Sequence, residues 1–594
     1  MTKPQKNRAL PHWNLSLFYS SDQDPKIETD MKEVENLFEA FAKSFDTPIK
    51  DYLTDRSKLL AALEEYEKLM GKSSPWPLLY YIFKRDTNGG HSLATAKINN
   101  FTQRLTKVEN RIRFFEIALG SIPPEKQAEF LDSFKLKHFS YFLSCLFSDA
   151  KHLLSLPEEK IMALKSQTSQ EMWVSQNSRI LSSQSLVWKG KTLPMAEALD
   201  LVASLKTQKE RASLSARISE VLKKVAPFSE GEINAVITNR KVDDELRGFK
   251  KPYENTVRHY RNDPKVVENL IKVVTDNFKV AHRFYKLKAK LLKLHKLNYS
   301  DRAAKLGVIK QKFGFEESVS QLKEIFGSVR PKYSETLESF LKTGRIDAEP
   351  RVGKRSGAYC ACTYGSPTFL LLNHLNDLHS FTTFAHEMGH ALHFESSRIQ
   401  SPLHFDISTA LAETASTLFE GLALDAVLDK LSDKEKIIVL HDKINADIAT
   451  IFRQVACFNF ELELHNDIRE KGFLTKEEIG SLHNKNMQAY LGPLFKLTPD
   501  DGYMFVQWSH IRRFFYVYSY AYGMLVSKAL LCRYRANHSF WSHIEKFLSA
   551  GGKNSPEKIL KEIGLDLTSP GFFEEGIREI EENIEKLERL VKEK

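Results

Sequence analysis

The sequence has little of what marks disulfide-bonded, fibrous or membrane proteins. Its 594 residues include only 5 Cys, scattered at positions 145, 360, 362, 457 and 532, so a disulfide framework is not expected. With 26 Gly and 21 Pro, the chain has too few of either for a collagen-like or low-complexity protein. It contains neither a run of eighteen uncharged apolar residues nor an apolar leader, so we predict a soluble, cytoplasmic protein with no membrane partner.

The charge of the chain is biased only weakly toward positive. The sequence has 86 Lys and Arg beside 76 acidic residues, a formal net charge of +10, and the basic residues are spread along its whole length. Basic stretches such as 286–296 are periodic, which is typical of the solvated side of a helix. Because no zinc finger, Gly-rich phosphate loop or aromatic-basic repeat accompanies the charge, we predict no nucleic-acid partner.

Apolar residues recur at spacings of three and four through most of the sequence, which predicts a mainly α-helical protein. The clearest predicted helices are 31–45, 57–70, 94–119, 264–292 and 435–460. Near the C-terminus, an apolar stripe within 577–591 stands against a charged background and predicts a terminal helix docked on the body.

Two segments depart from the helical pattern. Residues 182–194 are rich in Ser, Gly and β-forming residues, and we place a boundary near residue 200 between an N-terminal helical lobe, 1–200, and a catalytic lobe, 201–594. Residues 357–373 contain two β-prone runs around a Gly-Ser-Pro turn, which predicts a β-hairpin. Alternate positions on its first strand explain Cys360 and Cys362 without a metal site.

The sequence His386-Glu387-Met388-Gly389-His390 is an HExxH motif. On a helix, residues four apart lie one above the other, so both imidazoles can bind one zinc ion. Glu387 faces the same cavity and can take a proton from a zinc-bound water. The residues around the motif suit a buried helix, where these polar groups would be costly without a partner.

A catalytic zinc site needs a third protein ligand and an open position. The pattern with a third histidine six residues after the second is excluded, because Ser396 stands at that position. Glu395 lies on the motif's own helix but points in a poor direction, and His393 is better explained as a core residue. Glu413, on a second helix with small residues, is the best candidate, and Glu420 lies on the same face to orient a ligand histidine.

The motif HEMGH followed by LAETAS resembles the M3 family of metallopeptidases, in its oligoendopeptidase F branch. Supporting segments include PHWNLSLFY, GKRSGAY, FFYVYSYAYG and GLDLTSPGF, in that order along nearly the whole chain. The resemblance implies a two-lobed helical ellipsoid with a deep channel and zinc at its floor. It also implies cleavage of internal bonds in short peptides, with Glu413 at the position of the family's third ligand.

The resemblance further implies that a late segment supplies a histidine and tyrosines for the reaction. The matching positions are His510 and the group Tyr516, Tyr518 and Tyr520. Tyr518 is our first choice, with His510, for the contact to the developing oxyanion, and Tyr516 and Tyr520 are candidates for substrate binding or for helix packing. The segment departs from the family in having Arg512 and Arg513 where aromatic residues are expected.

The sequence thus predicts a zinc endopeptidase with one Zn²⁺ per chain and short peptides as substrates. Zinc acts as the Lewis acid, and Glu387 activates the bound water and passes its proton to the leaving amine. The edge strand of the predicted hairpin, with Gly357 and Tyr359, is expected to pair with the peptide main chain. Such pairing reads the backbone and tolerates many side chains.

Alternatives remain open at this point. A dipeptidyl carboxypeptidase or carboxypeptidase would need a basic pocket for a free C-terminus, for which Arg512 and Arg513 are candidates. A peptide-binding protein without catalysis is disfavoured, because the base Glu387 and all three ligands are present. Manganese or cobalt can replace zinc in principle, although two imidazoles and a carboxylate suit zinc. The sequence leaves the oligomeric state open.

Overall fold

The computed structural model describes residues 10–593 and confirms the predicted mainly α-helical fold class. The first thirteen of the α-helices in these residues are α1 (Lys26–Phe45), α2 (Arg56–Lys72), α3 (Trp76–Thr87), α4 (Ser92–Gly120), α5 (Pro124–Leu131), α6 (Ser140–Ala150), α7 (Leu156–Ser166), α8 (Met172–Ser182), α9 (Met195–Ser204), α10 (Gln208–Leu246), α11 (Glu254–His259), α12 (Pro264–Asp276) and α13 (Phe278–Leu292). The others are α14 (Phe315–Val329), α15 (Pro331–Thr343), α16 (Leu378–Ser397), α17 (Thr409–Leu428), α18 (Asp433–Thr450), α19 (Phe452–Lys471), α20 (Lys476–Leu491), α21 (Tyr518–Ala536), α22 (Trp541–Leu548), α23 (Pro556–Glu562) and α24 (Pro570–Lys592).

The strands are short and form three small sheets within the described residues. They are β1 (Ser185–Trp188), β2 (Lys191–Pro194), β3 (Leu297–Asn298), β4 (Ile346–Asp347), β5 (Tyr359–Ala361), β6 (Phe369–Leu371) and β7 (Phe495–Lys496). β1 and β2 form an antiparallel hairpin, and β3 pairs with β7 in parallel. In the third sheet β6 is central, antiparallel to β5 and parallel to β4. The predicted hairpin at 357–373 is therefore confirmed, and β4, which joins it, was not predicted.

Two predicted long helices are each divided in the structure. The helix expected over 264–292 is interrupted at Asn277, whose φ of −103° and ψ of 15° lie outside the helical range. The helix expected over 435–460 is interrupted at Ile451, with φ of −100° and ψ of −66°. An apolar periodicity that continues across a bend predicts one helix, because the periodicity reports the buried face and not the backbone path.

The contacts between Cα atoms divide the chain into two compact units. Unit 1 holds the described residues up to 151, with 311–427 and 534–563. Unit 2 holds 152–310, 428–533 and the described residues from 564 onward. The boundary predicted near residue 200 lies inside the first segment of unit 2, and the division into lobes 1–200 and 201–594 stays a prediction.

The core of unit 1 is an aromatic-rich cluster formed by α1 to α6 and joined by β6. Phe369, Leu370 and Leu371 of β6 are fully buried, and the Trp13 indole donates a 2.7 Å hydrogen bond to the Leu370 carbonyl. α16 also packs against this sheet, at β5 and β6. The small sheet thus provides a fixed support for α16.

The core of unit 2 includes the C-terminal helix α24, whose apolar stripe is buried at Ile577, Ile580, Ile584 and Leu587. α24 packs against α12, α13 and α18, so the predicted terminal helix is docked. A buried ion network reinforces this packing, because the Lys528 ammonium lies 2.9 Å from Asp447 and 2.7 Å from Glu579. Burial of these charges is tolerated because each has an opposite partner.

Among the helices of residues 10–593, none combines the length and the hydrophobicity that a membrane-spanning helix needs.

Candidate metal centre

The HExxH residues lie in the middle of α16, a largely buried helix of unit 1. The Asp377 side chain caps its N-terminus by accepting a 2.8 Å hydrogen bond from the Ser380 amide. His386 and His390 project from one face, with ring centroids 5.0 Å apart. The spacing of four therefore places both imidazoles together, as the sequence predicts.

A close crossing between α16 and α17 brings the third candidate to the histidines. Gly389 makes this crossing possible, because a Cβ atom there would lie 2.7 Å from the Ser416 Cα and 2.9 Å from the Ala415 carbonyl oxygen. Such distances are shorter than van der Waals contact, so any side chain at position 389 would force the helices apart. The small residues Ala415 and Ser416 complete the fit on α17.

His386, His390 and Glu413 form the only group of this kind within residues 10–593 that could hold a metal ion. The Glu413 Oε2 atom lies 3.3 Å from the Nε2 atom of His386 and 3.7 Å from that of His390. Ligands at 2.0–2.1 Å around a tetrahedral zinc ion lie about 3.3 Å apart, so the observed separations fit zinc. The donor set of two imidazoles and one carboxylate also matches that of catalytic zinc sites.

Both imidazoles are oriented by hydrogen bonds to groups outside the cluster. The Nδ1 atom of His386 lies 3.0 Å from a Glu420 carboxylate oxygen, and the His390 ring hydrogen-bonds to the backbone of Ala412. Because a proton on Nδ1 leaves Nε2 as the lone-pair atom, the Glu420 contact prepares the His386 ring to bind a metal. The Ala412 contact restrains the His390 ring. This is the orienting role that the sequence predicts for Glu420.

The electrostatics of the cluster favour positive charge at its centre. Burial alone would lower the pKa of His386, but the hydrogen bonds with Glu413 and Glu420 outweigh it and raise that pKa to about 10. Against the effect of burial, the same His386 contact and the His390 charge lower the pKa of Glu413 to about 2. His390 differs, because burial lowers its pKa to about 4 and keeps it neutral at pH 7. The carboxylates of Glu413 and Glu420 beside the two imidazoles therefore attract a cation.

Glu387 lies beside the cluster without belonging to it. Its side chain is only 7% exposed, and burial raises the pKa of its carboxyl to about 7. A backbone hydrogen bond from Cys360 of β5 holds the carboxylate. A carboxyl group with a pKa near neutrality can both accept and release a proton, which is what a general base that later acts as an acid requires.

A cavity of about 500 Å³ in unit 1 opens onto His386, Glu387 and Glu420. Gly357 and Leu375 also line this cavity. Gly357 has φ of 79°, in the left-handed region, and a Cβ atom there would meet nothing within 4 Å. The structure therefore brings Gly357 to the same cavity as His386 and Glu387.

β5 is an edge strand whose partner on one side is β6. The Tyr359 hydroxyl donates a 2.9 Å hydrogen bond to the buried carboxylate of Asp86, so this side chain braces the strand. Any substrate contact at Tyr359 is thus left to its backbone, and the substrate-binding roles of Gly357 and Tyr359 stay predictions.

The two alternative ligands considered from the sequence lie outside the cluster. Glu395 accepts a 2.7 Å hydrogen bond from the Thr368 hydroxyl and pairs with Arg398 at 2.8 Å. His393 is buried against Phe547, with ring centroids 5.1 Å apart, and burial lowers its pKa to about 3. Both side chains support the packing of α16.

The residues predicted from the late segment lie together in unit 2. The His510 Nδ1 atom hydrogen-bonds with the Tyr516 hydroxyl, which lies 3.5 Å from the Tyr520 hydroxyl, and these side chains are partly exposed. Tyr518 is different, because it is fully buried and its hydroxyl donates a 2.8 Å hydrogen bond to Asn262. The oxyanion role predicted for Tyr518 stays a prediction, and its hydroxyl is the least accessible of the three.

Arg512 is engaged inside unit 2. It is 3% exposed and forms two hydrogen bonds, of 2.6 and 2.7 Å, with the Glu232 carboxylate. Its remaining guanidinium nitrogen donates to the carbonyls of Phe505 and Trp508. Arg512 is therefore not available to capture the C-terminus of a peptide, whereas Arg513 is exposed.

Several supporting contacts were not predicted from the sequence. They are the role of Gly389 in the crossing of α16 and α17, the backbone contact between Cys360 and Glu387, and the Asp86 brace on Tyr359. A glycine between two buried helical positions is a signal of close helix packing, so the role of Gly389 was detectable in principle. The other two contacts join residues far apart in the sequence and have no local signal.

Comparisons with known proteins agree with this geometry. Residues 207–579 match the profile of Peptidase family M3, and residues 119–182 match Oligopeptidase F. Group B oligopeptidase PepB of Streptococcus agalactiae is 26% identical over 98% of this chain and 97% of its own. An oligoendopeptidase F homolog of Lactococcus lactis subsp. lactis is 24% identical over 98% and 97%.

The fold also matches solved structures. A protein from Chlamydophila abortus superposes with a TM-score of 0.84 at 23% identity, over 98% of both chains. The M3 profile alone spans more than half of the chain and includes the cluster and Glu387. The resemblance seen in HEMGH and LAETAS is confirmed: the chain belongs to peptidase family M3 and is a metallopeptidase.

Proposed function

We propose that this protein is a zinc-dependent endopeptidase that hydrolyses internal bonds of short peptides, with one zinc ion per chain in the cytoplasm. The observation that carries the proposal is the His386, His390 and Glu413 cluster beside a cavity bounded by Glu387 and Gly357. A zinc ion held by these ligands supplies a Lewis acid for the scissile carbonyl and makes water more acidic. Residues of the chain itself carry out proton transfer, peptide binding and contact with the oxyanion.

Glu387 is the proposed general base and later the general acid. Its carboxyl faces the cavity from the helix that carries both ligand histidines, and burial raises its pKa to about 7. It can therefore take a proton from water and return it to the leaving amine near neutral pH. The backbone contact with Cys360 fixes the carboxyl during both transfers.

The edge strand β5 is the proposed binding element for the peptide main chain. Its backbone reaches Glu387 at Cys360, and Gly357 lies at the same cavity. An extended peptide that adds to this edge is held by backbone hydrogen bonds, which tolerates many side chains. Glu420, which also lines this cavity, holds His386 in place through a hydrogen bond with its Nδ1 atom.

An endopeptidase is favoured over the carboxypeptidase alternatives. Capture of a free C-terminus needs an available basic group, and Arg512 is committed to Glu232. The relatives are named as an oligopeptidase and an oligoendopeptidase F, and the proposal extends those activities to this chain. Arg513 is exposed, so it is the residue to substitute in a test of the carboxypeptidase alternative.

His510 and Tyr516 are the proposed hydrogen-bond donors to the substrate oxyanion. Both side chains are partly exposed and already hydrogen-bonded to each other, whereas Tyr518 is fully buried. We therefore propose Tyr516 in place of Tyr518 for this contact. Preorganised donors of this kind stabilise charge that develops only in the transition state.

The test uses a quenched fluorescent nonapeptide blocked at both ends and the same peptide with free ends. We expect cleavage of the blocked peptide at internal bonds, loss of cleavage with a chelator, and recovery when zinc is added. Cleavage of the free form alone would contradict an endopeptidase and favour an exopeptidase. Binding of both peptides without cleavage would favour a peptide-binding protein.

A further inference from the structure

A strained turn joins the 3₁₀ helix Ser509–Arg512 to α21 in unit 2. Phe514 has φ of 47° and Phe515 has φ of 63°, so two consecutive aromatic residues adopt the left-handed conformation. That conformation is unfavourable for bulky L-residues and is usually left to glycine. Such strain persists only where surrounding contacts hold it, and it is frequent at functional sites.

Two side chains far away in the sequence hold the backbone of this turn. The Glu461 Oε1 atom accepts a 2.8 Å hydrogen bond from the Phe515 amide, and the Thr256 hydroxyl donates a 2.9 Å hydrogen bond to the Phe514 carbonyl. The bonds satisfy one donor and one acceptor on adjacent strained residues. They fix the turn from two sides, α19 and α11.

Ring packing adds to these two hydrogen bonds. Phe514 is 4% exposed and Phe515 is fully buried. The Phe515 ring lies 4.8 Å from the His465 ring and 5.3 Å from the Phe458 ring. The aromatic side chains at 514 and 515 therefore gain burial that glycine would lack, which explains why the turn carries strained aromatic residues.

The turn determines the arrangement of His510 and Tyr516. His510 precedes it, Tyr516 follows it directly, and the reversal of the chain brings the two side chains into a hydrogen bond. Tyr516 also caps the start of α21, because its carbonyl accepts a 3.0 Å hydrogen bond from the Ser519 amide. A change in the backbone at 514–515 would move Tyr516 relative to His510.

Glu461 is the least expected of the side chains around the turn. It is fully buried, and its second carboxylate oxygen, Oε2, has no hydrogen-bond partner within the described residues. Burying a carboxyl group with incomplete hydrogen bonding costs free energy, so packing alone does not account for a glutamate at this position. The hydrogen bond that Glu461 accepts from the Phe515 amide accounts for a glutamate at this position.

We propose that Glu461 is a positioning residue that holds the Phe514–Phe515 turn in its left-handed conformation and thereby sets Tyr516 against His510. This inference rests on the proposed function, because Glu461 affects the reaction only through His510 and Tyr516. In this role Glu461 itself contacts neither the substrate nor the metal.

Glutamine should replace Glu461 well. Burial raises the pKa of Glu461 to about 8, so the carboxyl is mostly neutral at pH 7 and accepts the hydrogen bond through a carbonyl oxygen. Glutamine offers the same carbonyl oxygen and nearly the same volume, whereas leucine removes the acceptor. The pair Glu461→Gln and Glu461→Leu therefore isolates the hydrogen bond.

The test compares kcat, KM and zinc content of these two variants on the blocked peptide. We expect Glu461→Gln to keep kcat within about threefold and Glu461→Leu to lower it by about tenfold or more, with KM and zinc content unchanged. Equal activity of the two variants would overturn the proposal.

A double-mutant cycle with Tyr516→Phe separates positioning from general stability. If Glu461 acts through Tyr516, the Glu461→Leu change should lower kcat much less in the Tyr516→Phe background than in the wild type. Additive losses in kcat would mean that Glu461 acts elsewhere, and the proposal would be wrong.

Thr256 provides a second test if Glu461→Leu does not fold. Thr256→Val removes the donor to the Phe514 carbonyl at constant shape, and Thr256→Ser keeps it. We expect a lower kcat for the valine variant, rescued in the serine variant and masked by Tyr516→Phe. A valine variant with wild-type kcat would count against the role of the turn.

A spectroscopic measurement distinguishes this proposal from the proposed function. In protein with ¹³C-labelled histidine, the resonance of His510 is identified as the one that Tyr516→Phe displaces. Its chemical shift should be the same in the wild type and Glu461→Gln. In Glu461→Leu the chemical shift should change. If the wild type cleaves no peptide, the proposed function fails, while this shift still supports the positioning role. An unshifted resonance in Glu461→Leu overturns that role whatever the activity.

Discussion

The charged cluster in unit 1 and the aromatic group in unit 2 are built in different ways. His386, His390 and Glu413 project from two regular helices, and one close crossing sets their separations. His510 and Tyr516 are brought together by an irregular turn that distant side chains restrain. The difference teaches that helix periodicity and one crossing can assemble a His-His-Glu group, whereas the pairing of His510 with Tyr516 depends on tertiary contacts.

Each group should therefore respond differently to substitution. Changes in the charged cluster should alter zinc content first and turnover as a consequence. Changes in the aromatic group should alter kcat while zinc content stays constant.

The largest effect is expected for His390→Gln. Removing one of two imidazoles leaves too few ligands for a stable site, so zinc should be lost and turnover should fall to the level seen with a chelator. Metal analysis by mass spectrometry and the blocked-peptide assay measure both. As a matched control, His379→Gln on the same helix should retain zinc, because His379 lies outside the cluster. A zinc-loaded His390→Gln protein would contradict the ligand assignment.

Tyr516→Phe should lower kcat by about 10²- to 10³-fold at unchanged zinc content, as expected for loss of one oxyanion donor. Tyr518→Phe should leave kcat nearly constant and reduce stability, because its buried hydroxyl bonds Asn262. Steady-state kinetics and thermal unfolding of both variants check the pair. The opposite pattern would restore Tyr518 as the oxyanion contact predicted from the sequence.

Glu420→Gln should weaken zinc binding by about 10- to 100-fold, because Glu420 hydrogen-bonds with the Nδ1 atom of His386 from outside the cluster. Competition with a fluorescent zinc chelator measures the affinity. At saturating zinc, kcat should return close to the wild-type value. A variant with wild-type affinity would show that His386 is oriented by the helix alone.

The smallest effect concerns Gly389. Gly389→Ala should destabilise the protein by about 1–3 kcal/mol, because the added methyl group overpacks the crossing of α16 and α17. Gly231→Ala is the control, since a Cβ atom there meets nothing within 4 Å, and it should stabilise α10 by about 0.5–1 kcal/mol. Denaturant unfolding of both proteins gives the comparison. Equal effects would remove the argument for a close crossing.

The same contrast explains what sequence could predict. The HExxH spacing and the small residues around Glu413 carry local signals, and the structure brings His386, His390 and Glu413 together. The turn at Phe514 and Phe515 carries no such signal, because no glycine marks the left-handed backbone. Its restraints come from Glu461 and Thr256, which only the fold brings near.

For the fold, too, the sequence predicts the features that have a local signal and misses those that depend on long-range contacts. Apolar periodicity predicts the helical class and the docked stripe of α24, but it does not detect the interruptions at Asn277 and Ile451. The two compact units combine segments that are separated in sequence, so composition along the chain does not reveal them. The hairpin β5–β6 was predictable from its own residues, whereas the parallel partner β4 depends on long-range pairing.

The most direct test of the central claim is a joint measurement of zinc content and blocked-peptide cleavage in Glu387→Gln. Because Glu387 lies outside the metal cluster, the variant should bind one zinc ion per chain with wild-type affinity. Its kcat should fall by about 10²- to 10⁴-fold, since the residue that transfers the proton is missing. Cleavage at the wild-type rate would contradict the role of Glu387 as the base, and loss of zinc would contradict the assignment of His386, His390 and Glu413 as a sufficient ligand set.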